Sequence, residues 1–85
     1  MNDTSTQNIV MDAKQVMAFL REERKRRGKS QEQFAIKSGT NQNTISRAEN
    51  LGNCTLETLL KLISCMWSDL ESFGKDYDTW EENHD

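Results

Sequence analysis

Three positions between Gln31 and Asn50 confine the backbone more tightly than anything else in this 85-residue sequence. They are Ala35, Gly39 and Ile45, and they stand between two capping signals. Ser30, with Gln33 three residues later, is a capping box that opens a short helix. Two short helices that cross steeply need a small side chain where the backbones approach, and Ala35 supplies it. The turn between them needs a residue that accepts positive φ, which is Gly39. Asn41 or Thr40 then opens a second helix, Gln42 to about Asn50, and Ile45 anchors it against the first. Phe34 and Ala48 complete the inward set. Each feature alone is weak, but the combination specifies a helix-turn-helix.

The remaining sequence reads as further short helices around this pair. Asp12 caps a first helix that carries Ala13, Val16, Met17 and Leu20 on one face and runs to Arg27, ending at Gly28. Thr55 caps a fourth helix, in which Leu56, Leu59, Leu60 and Ile63 form an apolar stripe at i, i+3, i+4 and i+7. Ser68-Asp69-Leu70-Glu71 reads as a second capping box and starts a short fifth helix with Leu70 and Phe73 apolar. With no Pro and four Gly, the chain suits helices and tight turns, so the expected class is all-α with five helices. The divisions expected are a flexible arm over 1–11, a helical domain over 12–73 and an acidic tail over 74–85. The arm holds Ile9-Val10-Met11 but no Arg or Lys with which to track a groove.

The net charge of −3 hides an asymmetry. Residues 12–52 carry nine Lys/Arg against five Asp/Glu, whereas residues 53–85 carry two against eight. Local field, not the total, decides where an anion docks, and the field favours the first half. Other classes of function find little support. His84 is the lone histidine, no Cys or His pair has metal-ligand spacing, and no glycine-rich phosphate loop follows a strand. Cys65 lies beside the apolar stripe and reads as packing rather than as a nucleophile. The chain is therefore expected to be no enzyme, to need no metal or cofactor, and to have no membrane-spanning segment. With no secretory leader and no disulfide framework, it reads as cytoplasmic.

Leu20 to Phe73 resembles the Cro/lambda-repressor-type (XRE) helix-turn-helix family. The resemblance rests on LREERKRRGKSQEQFAIKSGTNQNTISRAEN followed by TLETLLKLI, with Ser30-Gln31, Ala35, Gly39, Thr44-Ile45-Ser46-Arg47 and Glu49-Asn50 in register. It implies a five-helix lambda-repressor-like domain that binds DNA. The expected role is a transcriptional regulator, a repressor, acting as a homodimer on a pseudo-palindromic operator. Glu23, Lys29, Ser38 and Thr40 depart from the family, which usually has aliphatic residues there, and they imply a thinner core.

The resemblance places the second helix of the motif in the major groove, with Gln42, Asn43, Thr44, Ser46 and Arg47 toward the bases. Gln and Asn match the N6/N7 edge of adenine and Arg the O6/N7 edge of guanine. Gln31 and Asn50, with Asn53 in the turn behind, are expected on phosphates; Arg24 and Arg27 are further candidates for that work. For Arg24 a structural ion pair with Glu49 is an equal alternative. Met66, Trp67, Leu70 and Phe73 are expected either at the dimer interface or simply in the monomer core. Tyr77 and Trp80 have two readings within the acidic tail. They either rest loosely on the domain or anchor a protein partner, as in antitoxin components that join such a domain to a toxin-binding extension.

Overall fold

The computed structural model describes residues 13–83. Among them are five α-helices and no strand: α1 (Ala13–Arg26), α2 (Gln31–Ser38), α3 (Gln42–Leu51), α4 (Leu56–Met66) and α5 (Leu70–Glu82). The arm over 1–11 and the Asp12 cap lie outside the described residues, as does His84. The helix-turn-helix is α2 and α3, which lie against each other; α1 packs on α3, α4 on α2, and α5 on α1.

Local chemistry accounts for each boundary of the motif. The Ser30 side chain accepts from the Gln33 N–H while the Gln33 side chain accepts from the Ser30 N–H, so the capping box is complete. At the far end Gly39 takes φ 74°, the left-handed conformation, and the Thr40 N–H closes on the Ala35 carbonyl at 2.9 Å. Asn41, not Thr40, caps α3 through the Thr44 N–H. Gly52 ends α3 at φ 68°, and a Cβ there would sit 2.8 Å from Cγ of Lys14 and 3.1 Å from its Cα. Conformation and the close approach of α1 both demand glycine at that point.

The core runs through the centre of the bundle: Val16, Met17 and Leu20 from α1, Phe34 and Ala35 from α2, Ile45 and Ala48 from α3, and Leu62 and Ile63 from α4. Two expected faces shift. Ala13 is exposed while Phe19 is buried, because α1 is covered on a second side by α5. On α4 the buried face is Leu62 and Ile63 with Leu59 behind, whereas Leu56 and Leu60 are 70% and 40% exposed. The expected stripe was thus rotated by part of a turn, since the run of leucines allows more than one i, i+3, i+4 reading. Of the family departures, Ser38 is buried, but its hydroxyl donates to the Ala35 carbonyl and bonds the Thr40 hydroxyl at 2.8 Å. A satisfied polar pair stands there in place of aliphatic packing.

The end of the chain differs most from expectation. Asp69, one residue after the expected Ser68, caps α5 by accepting from the Ser72 N–H, and that bond holds its carboxyl below the usual carboxylate range. The helix then continues through Gly74 to Glu82, so no boundary falls after Phe73. Its inner face is aromatic and closes on Phe19, whose ring centre lies 5.4 Å from Trp67, 5.9 Å from Phe73, 5.5 Å from Tyr77 and 5.4 Å from Trp80. Edge and offset arrangements at such distances add to the area buried. The indole N–H groups are satisfied as well, Trp67 by Asp76 at 2.8 Å and Trp80 by Glu22 at 3.1 Å. Of the carboxylates in the expected tail, Asp76, Asp78, Glu81 and Glu82 lie exposed on this helix, Asp76 accepting from Trp67.

Tyr77→Ala is therefore expected to destabilise the fold by about 3 kcal/mol or more, as large aromatic truncations in cores do. Urea unfolding followed by circular dichroism measures it. A change within about 0.5 kcal/mol, the usual effect of a surface substitution, would instead mean a loose tail.

Candidate nucleic-acid interface

The outward surface of α3 follows from which of its residues are inward. Ile45, Ala48 and Glu49 are buried. At about 100° per residue, the line opposite them carries Asn43, Arg47 and Asn50, spaced i, i+4, i+7. All three are exposed, and Gln42 stands exposed on the shoulder of the same helix. Among the described residues Arg47 has no ion pair or hydrogen-bond partner. Its guanidinium is free for an external acceptor. Ser46 and Thr44 are half-buried and already engaged: Ser46 accepts from the Asn50 amide at 3.2 Å, and the Thr44 hydroxyl donates to the Asn41 cap at 3.2 Å. The expected base-reading set is thus brought onto one helix, with Asn43 and Arg47 its most prominent members.

Behind α3 a buried carboxylate organises the site. Glu49 is 9% exposed and Arg24 6%. Arg24 donates through Nε to Glu49 Oε2 at 2.7 Å and through Nη2 to Oε1 at 2.9 Å, a bidentate pair. Its third nitrogen, Nη1, donates to the Lys29 carbonyl at 2.6 Å. The Gln31 side-chain amide adds a third donor to Glu49, at 3.1 Å.

This arrangement gives Arg24 the ion pair with Glu49, one of its two expected readings, and Arg27 is drawn away from the expected phosphate contact. Arg24 is spent on Glu49 and presents no face to a ligand. Arg27 is engaged elsewhere, stacking 5.3 Å from the Trp67 ring and donating to the Met66 carbonyl at 3.2 Å, with Glu23 3.5 Å away. Of the cations of α1, Arg21 and Lys25 are the exposed pair with no partner among the described residues, and they line a cleft against Glu49. Gln31 remains at the first turn of α2. Ser30 has taken up the Gln33 and Phe34 N–H groups, which leaves those of Gln31 and Glu32 without an acceptor among the described residues.

A second helix start faces the same side. Thr44 and Arg47 of α3 share a cleft of about 310 Å³ with Asn53, Thr55 and Thr58. Thr55 caps α4 through the Thr58 N–H. The sequence marks Thr55 only as a cap and does not single out Thr58, although a cap a few residues beyond the end of α3 brings the positive end of α4 beside it.

The expected dimer and partner contacts fare differently. Trp67 and Phe73 are buried against Phe19 and complete the monomer core, the second of their two expected readings and not the interface; Met66 is half-buried and Leu70 is 60% exposed. Tyr77, expected as a partner anchor, is 3% exposed, and Trp80 packs against the core. Neither is a free anchor. Cys54 and Cys65 are free thiols, both half-buried, and burial pushes both above the ordinary thiol value, away from nucleophile chemistry. Among the described residues no group of three His, Cys, Asp or Glu is placed to hold a metal, and no helix is long and apolar enough to cross a membrane.

The pair behind α3 and the free cation in front of it have opposite signatures. Glu49→Ala is expected to cost about 3–5 kcal/mol of stability, because it leaves the Arg24 charge buried and unpaired. Arg47→Ala is expected within about 0.5 kcal/mol of wild type. Thermal or urea unfolding of the two variants checks the contrast.

A family model described as helix-turn-helix matches residues 20–66, more than half of the chain. No curated protein and no solved structure matches it significantly. The match covers the interval from Leu20 through the capped pair to Met66, where the structure sets α3 on its buried carboxylate. The chain belongs to the Cro/lambda-repressor type of helix-turn-helix proteins and is a DNA-binding regulator of transcription.

Proposed function

We propose that the protein is a repressor that reads a short pseudo-palindromic operator as a homodimer, with α3 in the major groove of each half-site. The observation that carries this reading is the outward line Asn43, Arg47 and Asn50 on a helix held from behind by the buried Arg24–Glu49 pair. Arg47 suits guanine O6/N7, and Asn43 with Gln42 suits adenine N6/N7. The free N–H groups at the start of α2 and the cleft of Asn53, Thr55 and Thr58 at the start of α4 suit two phosphates flanking the reading helix. Arg21 and Lys25 add a non-specific attraction from α1. Half-site centres then lie about 34 Å apart, one turn of DNA. Repression follows from occupancy of a promoter, with no chemistry by the protein.

The competing role, an antitoxin-like binder of another protein, depended on aromatic anchors in a separate tail. Tyr77 inside the core removes the observation that favoured it.

Fluorescence anisotropy on a duplex selected by the wild-type protein from a random pool tests the reading. Arg47→Ala is expected to weaken binding by about 1–3 kcal/mol and relax preference at one base pair, as loss of a bidentate base contact does. Asn53→Ala is expected to weaken all sequences alike. Preference unchanged in Arg47→Ala and in Gln42→Ala would mean that α3 does not read bases.

A further inference from the structure

Between α2 and α4 runs a groove made of two hollows, of about 520 Å³ and about 190 Å³, with Lys37 and Cys65 lining both. Neither hollow shares a residue with the clefts beside the reading helix. Apolar side chains stand open along the groove. Ile36 is 76% exposed at the smaller hollow and Leu60 40% exposed at the larger, with Met66 half-buried at one end. The core does not account for Ile36, since α2 is anchored inward by Phe34 and Ala35. A single exposed apolar residue is ordinary. Two on the walls of one groove, rimmed by charge, form a docking pattern.

The rim is cationic. Lys29 and Lys37 have no ion-pair partner among the described residues. Lys61 lies 3.7 Å from Glu57, an exposed pair that competes weakly with an external anion. Glu57 is also the one carboxylate lining either hollow. An apolar strip inside a ring of lysines complements an apolar stripe flanked by carboxylates. We propose that this groove docks an acidic amphipathic helix of another protein, its large apolar side chains on Ile36 and Leu60 and its carboxylates on Lys29, Lys37 and Lys61. From Glu57 to Met66 the α4 wall rises about 14 Å at 1.5 Å per residue, the length of about two to three turns of a partner helix.

Other occupants match the groove less well. A nucleic-acid strand would satisfy the lysines but set phosphate against Ile36 and Leu60. Phe34, the one aromatic ring at the groove, is 2% exposed and offers no face for a base to stack on. An extended peptide has no sheet edge to join among the described residues. Residues 1–12 of this chain hold two carboxylates, Asp3 and Asp12, too few for three lysines. On a second copy, α5 presents carboxylates in number, but Leu70 is its only exposed large apolar side chain. Because groove and reading line have no residue in common, the partner helix is held while α3 is on DNA. The inference depends neither on the operator reading nor on Tyr77 and Trp80.

A displayed library of random peptides of about twelve residues, selected on the full chain without DNA, tests it. Recovered peptides are expected to be acidic, with large apolar residues spaced i, i+3 or i+4. The most abundant of them, synthesised with a fluorescein label, is expected to bind with a dissociation constant of about 1–100 μM. Amide shifts on titration are expected at Ile36, Lys37, Lys61 and Cys65 and not at Asn43 or Arg47. Ile36→Gln, and separately Lys37→Glu combined with Lys61→Glu, are expected to keep the far-ultraviolet dichroism and raise that constant at least about tenfold. Ile36→Gln is expected to leave affinity for a selected duplex unchanged. Enrichment of no peptide, or of peptides without this pattern, would overturn the inference. So would shifts centred on Asn43 and Arg47, or binding by both variants at the wild-type constant. A protein that binds the peptide as expected but no selected duplex would instead overturn the operator reading and leave this groove standing.

Discussion

The Glu49 carboxylate is the point through which the first three helices are fixed to one another. It sits on α3, accepts twice from Arg24 of α1, and accepts again from Gln31 at the first turn of α2. Arg24 also holds the Lys29 carbonyl, tying down the loop between α1 and α2. Removing a carboxylate and a guanidinium from water costs several kcal/mol each, and the attraction between them offsets that only when geometry and hydrogen bonds are nearly complete. Here all three Arg24 nitrogens and both Glu49 oxygens are used. The net stability from such a pair is small compared with the apolar core; its consequence is angular. Only one roll of α3 about its axis satisfies Glu49, and with Glu49 inward, Arg47 two residues earlier must face out. Specificity of placement, rather than free energy, is what the pair contributes.

That constraint explains why the site's electrostatics differ from the composition. Arg24 is neutralised internally, and Arg26 and Arg27 are engaged by Glu23, with Arg27 also stacked on Trp67. The dense cationic run at the end of α1 therefore gives less field at the reading surface than its charge count implies. Beside the reading helix, Arg21, Lys25 and Arg47 remain outward, together with two helix N-termini. The carboxylates of α5 lie on a helix whose main packing partner is α1 rather than α3. An overall charge of −3 is compatible with binding an anion because local field, not the total, decides where an anion docks.

The motif was legible in the sequence because its constraints are local. A capping box, a positive-φ glycine and a small residue at a helix crossing are each demanded within a few residues of chain, and Ser30, Ala35, Gly39 and Asn41 do what their types require. The end of the chain was less legible because its constraint is long-range. Gly74 and the surrounding carboxylates carry the local signature of a tail, and only Phe19, about fifty residues earlier, supplies the surface on which Trp67, Phe73, Tyr77 and Trp80 pack as one face. Phe19 and the aromatic residues of the chain's end are the two sides of one contact, and neither is marked as buried by its own neighbours in sequence. Arg24 is an intermediate case. It falls four residues after Leu20 and seven after Met17, so the helical period of α1 placed it inward, and a buried arginine requires a partner.

The same logic connects the aromatic cluster to the reading head. α5 makes its main packing contact with α1, whose Phe19 its aromatic face covers. By covering Phe19 it fixes the helix from which Arg24 reaches Glu49, and Trp67 at the start of that aromatic face also receives the Arg27 guanidinium. The neighbouring arginines Arg24 and Arg27 thereby take different partners, Arg24 the carboxylate of the reading helix and Arg27 the Trp67 ring and the Met66 carbonyl. A chain truncated after Phe73 would keep every residue of the helix-turn-helix and lose part of what orients it. The functional unit is thus larger than the motif that announces it: the reading line on α3 is set by Glu49, Glu49 by Arg24, and Arg24 by a helix whose Phe19 is covered by the aromatic face of α5.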